Sequence, residues 1–339
     1  MSPQFVDWNA DGQIDIVAGT FDGSPHLSRG TDKGFAAPEQ ILDREGKRIV
    51  LDQFWNFDTK QWDRASRKPG EELHLGGGHA TSAIAWDWDG DGDLDLLLGD
   101  HASDHVYLRR NDGTAAKPAF GKDNEALQAG GSPLLVPGTV ATLRGLDWNG
   151  DGKLDLLASG MGDAYQQGEG GGVYVFLNTG DKATTLGAPI TLVPRSKKDA
   201  DQPARPDSGL YVDAFDIDGD GDLDLVAGAY SHWSPKGKVL DDAQQQRVTE
   251  LRAGLAEQKQ KMQTLQGEIA AALEKASAGL NEAESNKKYS ELYQARQPER
   301  AVIQAQMKTL NEELDVLVPA AKRESFVWLY ENLAKGPVR

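Results

Sequence analysis

The feature that most constrains the fold is an acidic nonapeptide that recurs four times. "DWNADGQID" starts at Asp7, "DWDGDGDLD" at Asp87, "DWNGDGKLD" at Asp147 and "DIDGDGDLD" at Asp216, at start-to-start spacings of 80, 60 and 69 residues. An internal repeat of this kind makes each copy one supersecondary unit that buries its apolar face against its neighbours. Positions 1, 3, 5 and 9 are Asp or Asn in every copy, and position 6 is Gly. Carboxylates this close repel one another and raise each other's pKa unless something positive lies between them. A hard cation with six to eight oxygen ligands answers that need, and the ligand count suits Ca2+ rather than Mg2+.

In the second copy Asp87, Asp89, Asp91 and Asp95 offer side-chain oxygens, Asp93 at position 7 offers its backbone carbonyl, and Gly92 permits the sharp turn. The first three ligand positions resemble an EF-hand loop, but that loop ends in a bidentate Glu at position 12. Here position 12 is Ala18, Leu98, Ala158 or Ala227, which excludes it. Each loop runs instead into a short apolar segment ending near Gly, such as Leu96-Leu97-Leu98 or Leu225-Val226-Ala227, which reads as a buried strand.

The pattern D-x-(D/N)-x-D-G-x-x-D followed by an apolar strand and Gly resembles the FG-GAP, or VCBS-type, repeat of calcium-binding β-propellers, the family that includes the integrin α-subunit head. The resemblance implies that each repeat is one propeller blade whose loop joins strand A to strand B, and that up to four Ca2+ are bound. Carried over, the ligands are Asp7, Asn9, Asp11 and Asp15; Asp87, Asp89, Asp91 and Asp95; Asp147, Asn149, Asp151 and Asp155; and Asp216, Asp218, Asp220 and Asp224. Position 7, namely Gln13, Asp93, Lys153 and Asp222, adds a carbonyl in each loop. The plainer alternative is that these are polar Asp-Gly turns between strands.

Aligning outward from the loops places strand C at "VYLRRN" (Val106 to Asn111), "VYVFLN" (Val173 to Asn178) and "VWLYEN" (Val327 to Asn332), with "HLSRG" from His26 as the weaker counterpart in the first repeat. Gly99 lies 7 residues before strand C in the second repeat, whereas Gly228 lies 99 residues before it in the fourth, so about ninety residues are inserted there. The insertion changes period. Val248, Leu251, Leu255, Met262, Leu265, Ile269 and Leu273, then Ile303, Met307, Leu310, Leu314 and Leu317, recur at helical spacing amid Gln, Glu, Lys and Ala. We expect two antiparallel helices of roughly 35 residues joined near Ser277 to Asn286, with Pro298 as a kink or restart and Pro319 as the stop.

The expected fold is therefore mainly β: a β-propeller with four FG-GAP-type blades plus an inserted antiparallel α-helical coiled-coil hairpin. Residues 47 to 63 supply extra strands or a degenerate fifth blade without a calcium loop. The expected division is residues 1–239 for the propeller, 240–321 for the hairpin within blade four, and 322–339 for that blade's last strand.

Charge and composition narrow the function. Four Ca2+, with eight positive charges, would bring the net charge from −17 to −9. No basic stripe with interleaved aromatics exists to neutralise phosphates, so nucleic acid is not an expected partner. The absence of cysteine excludes disulfides and thiol chemistry. No run of 18 apolar residues spans a membrane. The family resemblance implies a secreted, periplasmic or cell-surface protein, although "MSPQFVDWN" leads straight into the first strand without a basic or apolar leader.

Enzyme motifs fare poorly. "HASDH" (His101 to His105) resembles the H-x-x-E-H helix of some zinc peptidases, with Asp for Glu and no room for a helix. "GGGHAT" (Gly76 to Thr81) lacks the Lys and hydroxyl pair of a phosphate loop. The reading favoured is a calcium-stabilised propeller acting as an extracellular recognition or adhesion module for a glycan or protein ligand, with the hairpin as a further surface for a protein contact. The alternative is a polysaccharide lyase-like carbohydrate-active enzyme, or an accessory domain of one, on fold analogy alone. In the family the face opposite the calcium loops meets ligand. The candidates there are Trp55, Trp62, His101, His105, Asp163, Tyr165, Tyr230 and Trp233, with Phe21 and His232 beside them. Aromatics with imidazoles and carboxylates suit sugar or peptide binding, and equally suit loop residues packing on one another.

Overall fold

Four antiparallel sheets follow one another along the chain, and three of them share one topology. The structure, a computed structural model, describes residues 3–56, 59, 61–65, 80–162, 169–197, 205–233, 235–276, 282–320 and 322–333. The first sheet is ordered β1 (Gln4–Val6), β2 (Asp15–Gly19), β3 (Pro25–Ser28) and, after a small hairpin of β4 (Gly30–Thr31) and β5 (Gly34–Phe35), β6 (Glu39–Gln40). A separate two-stranded hairpin, β7 (Gln53–Asn56) and β8 (Gln61–Arg64), fills the connection that was expected to hold extra strands or a degenerate repeat. The second sheet is β9 (Ala80–Trp86), β10 (Asp95–Asp100), β11 (Val106–Arg109) and β12 (Glu125–Ala126). It is followed by the short pair β13 (Gln128–Ala129) and β14 (Ser132–Pro133).

The third sheet is β15 (Val140–Leu146), β16 (Asp155–Gly160), β17 (Val173–Phe176) and β18 (Ile190–Val193). The fourth has three strands, β19 (Ser208–Phe215), β20 (Asp224–Trp233) and β21 (Lys322–Tyr330). Among the described residues none of the sheets closes on itself as a barrel.

Strand alternation sends successive side chains to opposite faces, and the repeat uses this in a fixed way. Counting from the Asp that opens each second strand, the residues at +1 and +3 face the sheet before, and the residue at +2 faces the sheet after. Leu96 and Leu98 thus join Trp8, Val17 and Leu27 of the first sheet in one core layer. Leu97 joins Leu143, Leu156, Ala158 and Phe176 of the third sheet in the next. Leu157 joins Leu210, Val212, Leu225 and Ala227 of the fourth.

The two middle strands, β10 and β16, are buried along their whole length because both faces are covered. β2 is buried at alternate residues, and β20 alternates near its start in the opposite phase. Each fully buried Leu or Val contributes about 1.5–3 kcal/mol relative to exposure.

Side-chain hydrogen bonds join adjoining sheets near their first strands. The Gln4 amide both donates to Ala85 O (3.1 Å) and accepts from Ala85 N (2.6 Å). Leu143 N donates to Ser82 Oγ at 3.0 Å, and Ser159 Oγ donates to Leu210 O.

The chain divides into two compact units, Met1–Trp233 with Arg323–Arg339, and Ser234–Lys322. The second holds α1 (Asp242–Ala276), α2 (Glu282–Ala295) and α3 (Gln297–Leu317). Val248, Leu251, Leu255, Leu265 and Ile269 are the buried stripe of α1. Arg247 grips the Glu313 carboxylate with Nε and Nη2 (2.7 and 2.8 Å), Gly254 lies against Leu310, and Arg296 pairs with Glu268. The order of these pairs runs α1 and α3 in opposite directions. The second arm is divided at Arg296, between α2 and α3, and Pro298, expected as a kink or restart, takes a first-turn position of α3, where a missing N–H costs nothing. The expected turn also shortens, because α2 already begins at Glu282.

Candidate metal centres

Each acidic loop joins the first strand of its sheet to the second, and the four loops are wound by the same hydrogen bonds. The position-1 carboxylate accepts from the backbone at positions 5 and 6 in the first and third loops: Asp11 N (3.1 Å) and Gly12 N (2.9 Å) donate to Asp7, Asp151 N (3.1 Å) and Gly152 N (2.8 Å) to Asp147. In the second, Gly90 N, Asp91 N and Gly92 N all donate to Asp87; in the fourth, Gly219 N and Gly221 N donate to Asp216. The position-5 carboxylate accepts from the backbone at position 7: Gln13 N to Asp11, Asp93 N to Asp91, Lys153 N to Asp151 and Asp222 N to Asp220, at 2.8 to 3.1 Å. The turn needs positive φ at positions 4 and 6. Gly supplies it everywhere except at Ala10, which holds φ 56° as an L-residue.

Position 9 has a role that the sequence did not disclose. Asp15, Asp95, Asp155 and Asp224 are buried, and each accepts one backbone N–H on either oxygen. Oδ2 takes Trp8 N, Trp88 N, Trp148 N or Ile217 N (2.9 to 3.2 Å). Oδ1 takes Gly30 N, Asn111 N, Asn178 N or Asn332 N (2.7 to 2.8 Å). One carboxylate thereby ties the loop after the first strand, the start of the second and the end of the third. Burial pushes Asp95 up to about 6, partly offset by the Asn111 and Trp88 N–H groups, and burial also raises Asp155. Asp93 and Asp222 are raised, first by loss of solvent and then by the neighbouring aspartates of their loops.

The loops can be tested for a cation on their own atoms. Asp87, Asp89 and Asp91 bring one carboxylate oxygen each within 4.8 Å of one another, and so do Asp216, Asp218 and Asp224. Both Asp222 oxygens and Asn9 Oδ1 are shielded from solvent without a hydrogen-bond partner, an arrangement that is costly unless something else satisfies them. Those donor atoms are all oxygens, as Ca2+ requires. In the first and third loops the position-3 amide turns its nitrogen onto the position-5 carboxylate: Asn9 Nδ2 to Asp11 Oδ2 at 3.0 Å, Asn149 Nδ2 to Asp151 Oδ2 at 3.3 Å. In the second loop Arg110 Nη1 lies 3.2 Å from Asp89 Oδ2 while its Nε reaches Glu125.

The expected ligand-face residues are distributed as follows. Trp55 and Trp62 are cross-strand partners on β7 and β8, ring centroids 5.5 Å apart and edge on. His101 and His105 stand in the bend between β10 and β11, His105 stacked on Tyr107 and 3.1 Å from Asp104. Tyr230, His232 and Trp233 were expected in a loop, but β20 runs on through Trp233 and carries all three. Tyr230 packs edge on to His232, with the Arg323 guanidinium 3.9 Å over its ring. Phe21 is exposed in the turn after β2. Asp163 and Tyr165 lie outside the described residues, as does most of the "GGGHAT" segment.

Fold and loops together define a protein of successive antiparallel sheets, each second strand introduced by an acidic loop. Residues 147–227 match the family model for an FG-GAP-like repeat, a span that takes in the third and fourth loops whole. The chain thus carries a repeat of the FG-GAP type, one associated with adhesion and recognition modules and typical of extracellular proteins. No curated protein matches the chain. Among the described residues no helix is long and apolar enough to cross a membrane.

Proposed function

We propose that the chain is a calcium-stabilised β-propeller module in which the four sheets are blades and Ser234–Lys322 is a coiled-coil hairpin set into the fourth. It recognises a glycan or protein ligand outside the cytoplasm. The observation that carries the calcium reading is the Asp222 carboxylate, shielded and unpartnered inside a loop with four further aspartates. Side-chain oxygens at positions 1, 3, 5 and 9 and the carbonyl at position 7 would hold the ion. The position-9 oxygens each keep a second lone pair free for it. Bound calcium supplies positive charge where the carboxylates otherwise repel, so it stabilises the native state over the unfolded one.

Isothermal titration calorimetry of the EGTA-treated chain tests this, with Ca2+ binding of up to four equivalents as the expected result. Chelator-insensitive melting with no binding heat would sink it. For recognition, a glycan array probed in Ca2+ and in EGTA should give calcium-dependent hits that weaken with His105→Ala or Trp62→Ala. Trp62 is exposed and His105 half-buried against Tyr107, so a thermal melt of each variant separates lost binding from lost stability.

A further inference from the structure

Arg109 breaks the repeat at one informative position. In the third-strand template "VYLRRN", "VYVFLN", "VWLYEN", the fourth place is Phe176 in one copy and Tyr330 in another, both packed in or against an apolar core layer. In the second repeat that slot holds a guanidinium. Arg109 is 2% exposed and is among the largest fully buried side chains. Its Nη1 donates to Gly121 O at 2.9 Å, and its Nε is buried with no hydrogen-bond partner. Asp43 and Asp123 act on it only from a distance, and among the described residues it makes no ion pair. Burial lowers it to about 10, so it remains charged at neutral pH.

A buried charge without a partner is strongly destabilising, so its retention asks for an anion. The surroundings supply room for one. Arg109 lines a cavity of about 270 Å³ together with Arg48, Arg64, Lys47 and Lys122, against only Asp43 and Glu45. Glu45 is engaged by Lys47 at 2.7 Å, and Asp43 Oδ1 accepts Glu45 N and Lys47 N within its own turn. Arg48 lies over the Phe54 ring and 3.1 Å from Asp63, yet its Nη2 is also buried and unpartnered. Five cations thus gather around one cavity in a chain of net charge −17. Guanidinium N–H groups match the oxygens of a tetrahedral oxyanion, and a doubly charged one answers the surplus of positive charge.

We propose that the cavity lined by Arg109, Arg48, Arg64 and Lys122 binds a sulfate or phosphate group, free or as an ester. This site is separate from the acidic loops and does not rest on calcium binding there. The probes are sodium sulfate, inorganic phosphate in calcium-free buffer, and a monosaccharide sulfate ester, each titrated calorimetrically at constant ionic strength set with NaCl. Saturable 1:1 binding of sulfate or phosphate is expected. Tighter binding of the ester would identify a sulfated ligand, and equal or weaker binding the free ion.

Arg109→Phe restores the residue of the third repeat. It should abolish the binding while the melting temperature in NaCl is held or raised, because the unpaired buried charge is gone. Arg64→Ser, at an exposed rim position, should weaken binding roughly tenfold without altering the melt. Absence of saturable binding would overturn the proposal. So would an Arg109→Phe chain that responds to sulfate as the parent does, since only the general salting-in or salting-out effect on stability would then remain.

Discussion

Asn332 donates its backbone N–H to Asp224 Oδ1 at 2.8 Å, although 108 positions separate the two residues in the chain. Asn111 meets Asp95 and Asn178 meets Asp155 at 2.7 Å across 16 and 23 positions. With Gly30 N on Asp15 Oδ1 in the first repeat, the same bond therefore closes a short connection three times and a connection carrying three helices once. What the repeat preserves is the pairing of its second and third strands, whatever length of chain lies between them.

The position-9 carboxylates should matter without any metal. Asp224→Ala leaves two backbone N–H donors without their acceptor, at a cost of about 2–4 kcal/mol, and Asp224→Asn, which keeps one acceptor oxygen, should cost less. Urea unfolding in EGTA is the measurement. Equal midpoints for the parent and Asp224→Ala in chelator would show that Asp224 serves only as a ligand.

Calcium affinity should rank with loop charge. The second and fourth loops carry Asp at positions 1, 3, 5, 7 and 9, whereas the first and third have Asn at position 3 and Gln13 or Lys153 at position 7. More carboxylates favour tighter binding. Asp91→Ala and Asp220→Ala should each remove a tight site from the calorimetric isotherm, and Asp11→Ala a weak one. At a hundredfold excess of Ca2+ over Kd, each lost site lowers stability by about 2.7 kcal/mol. A tight site that survives Asp91→Ala and Asp220→Ala combined would refute the ranking.

Ala10→Gly should stabilise the chain by about 1 kcal/mol, because Ala10 is held at φ 56° in a place where the other loops use Gly. Gly90→Ala, the reverse change in the second loop, should cost more than that, since its Cβ would fall 2.7 Å from Lys182 O. Thermal melts of the two variants check both signs. A destabilised Ala10→Gly would mean that the added freedom of the unfolded chain outweighs the strain relieved.

Much of this arrangement is legible in the sequence. The loops and the third-strand templates are fixed by short-range chemistry: Asp and Gly at set spacing, then an apolar run. The helices show through the change from a period of two to one of three and four, and α1 starts at Asp242, six residues before the first apolar position of that series. What escapes is decided by tertiary pairing. β6 and β12 are two residues each, too short for any alternation to register. β20 extends past Gly228, where turn-length reasoning ends it, because Ser208 on β19 pairs with Tyr230 and prolongs the ladder.

The stapling role of Asp95 is hidden because a ligand and a hydrogen-bond acceptor look alike in a sequence. Arg109 carried a signal that alignment of the third strands contains: a cation in an aromatic column.

Replacing residues 240–321 with a few Gly and Ser should leave a folded β-unit. Gly237 lies 3.6 Å from Pro319 by its ideal Cβ, so the two ends of the excised segment are close enough for a short bridge. The trimmed chain should keep its β-type circular dichroism and a cooperative melt. Loss of cooperative unfolding would mean that β21 cannot find β20 without the helices.

The one-residue offset between neighbouring faces gives the row of sheets a direction of its own. Damage to a second strand consequently has an address. A truncation at Leu97 or Leu157 is delivered to the sheet that follows, and one at Leu96, Leu98, Leu156 or Ala158 to the sheet that precedes. Two substitutions of the same size, one residue apart in the same strand, would loosen opposite neighbours and leave the other side in place.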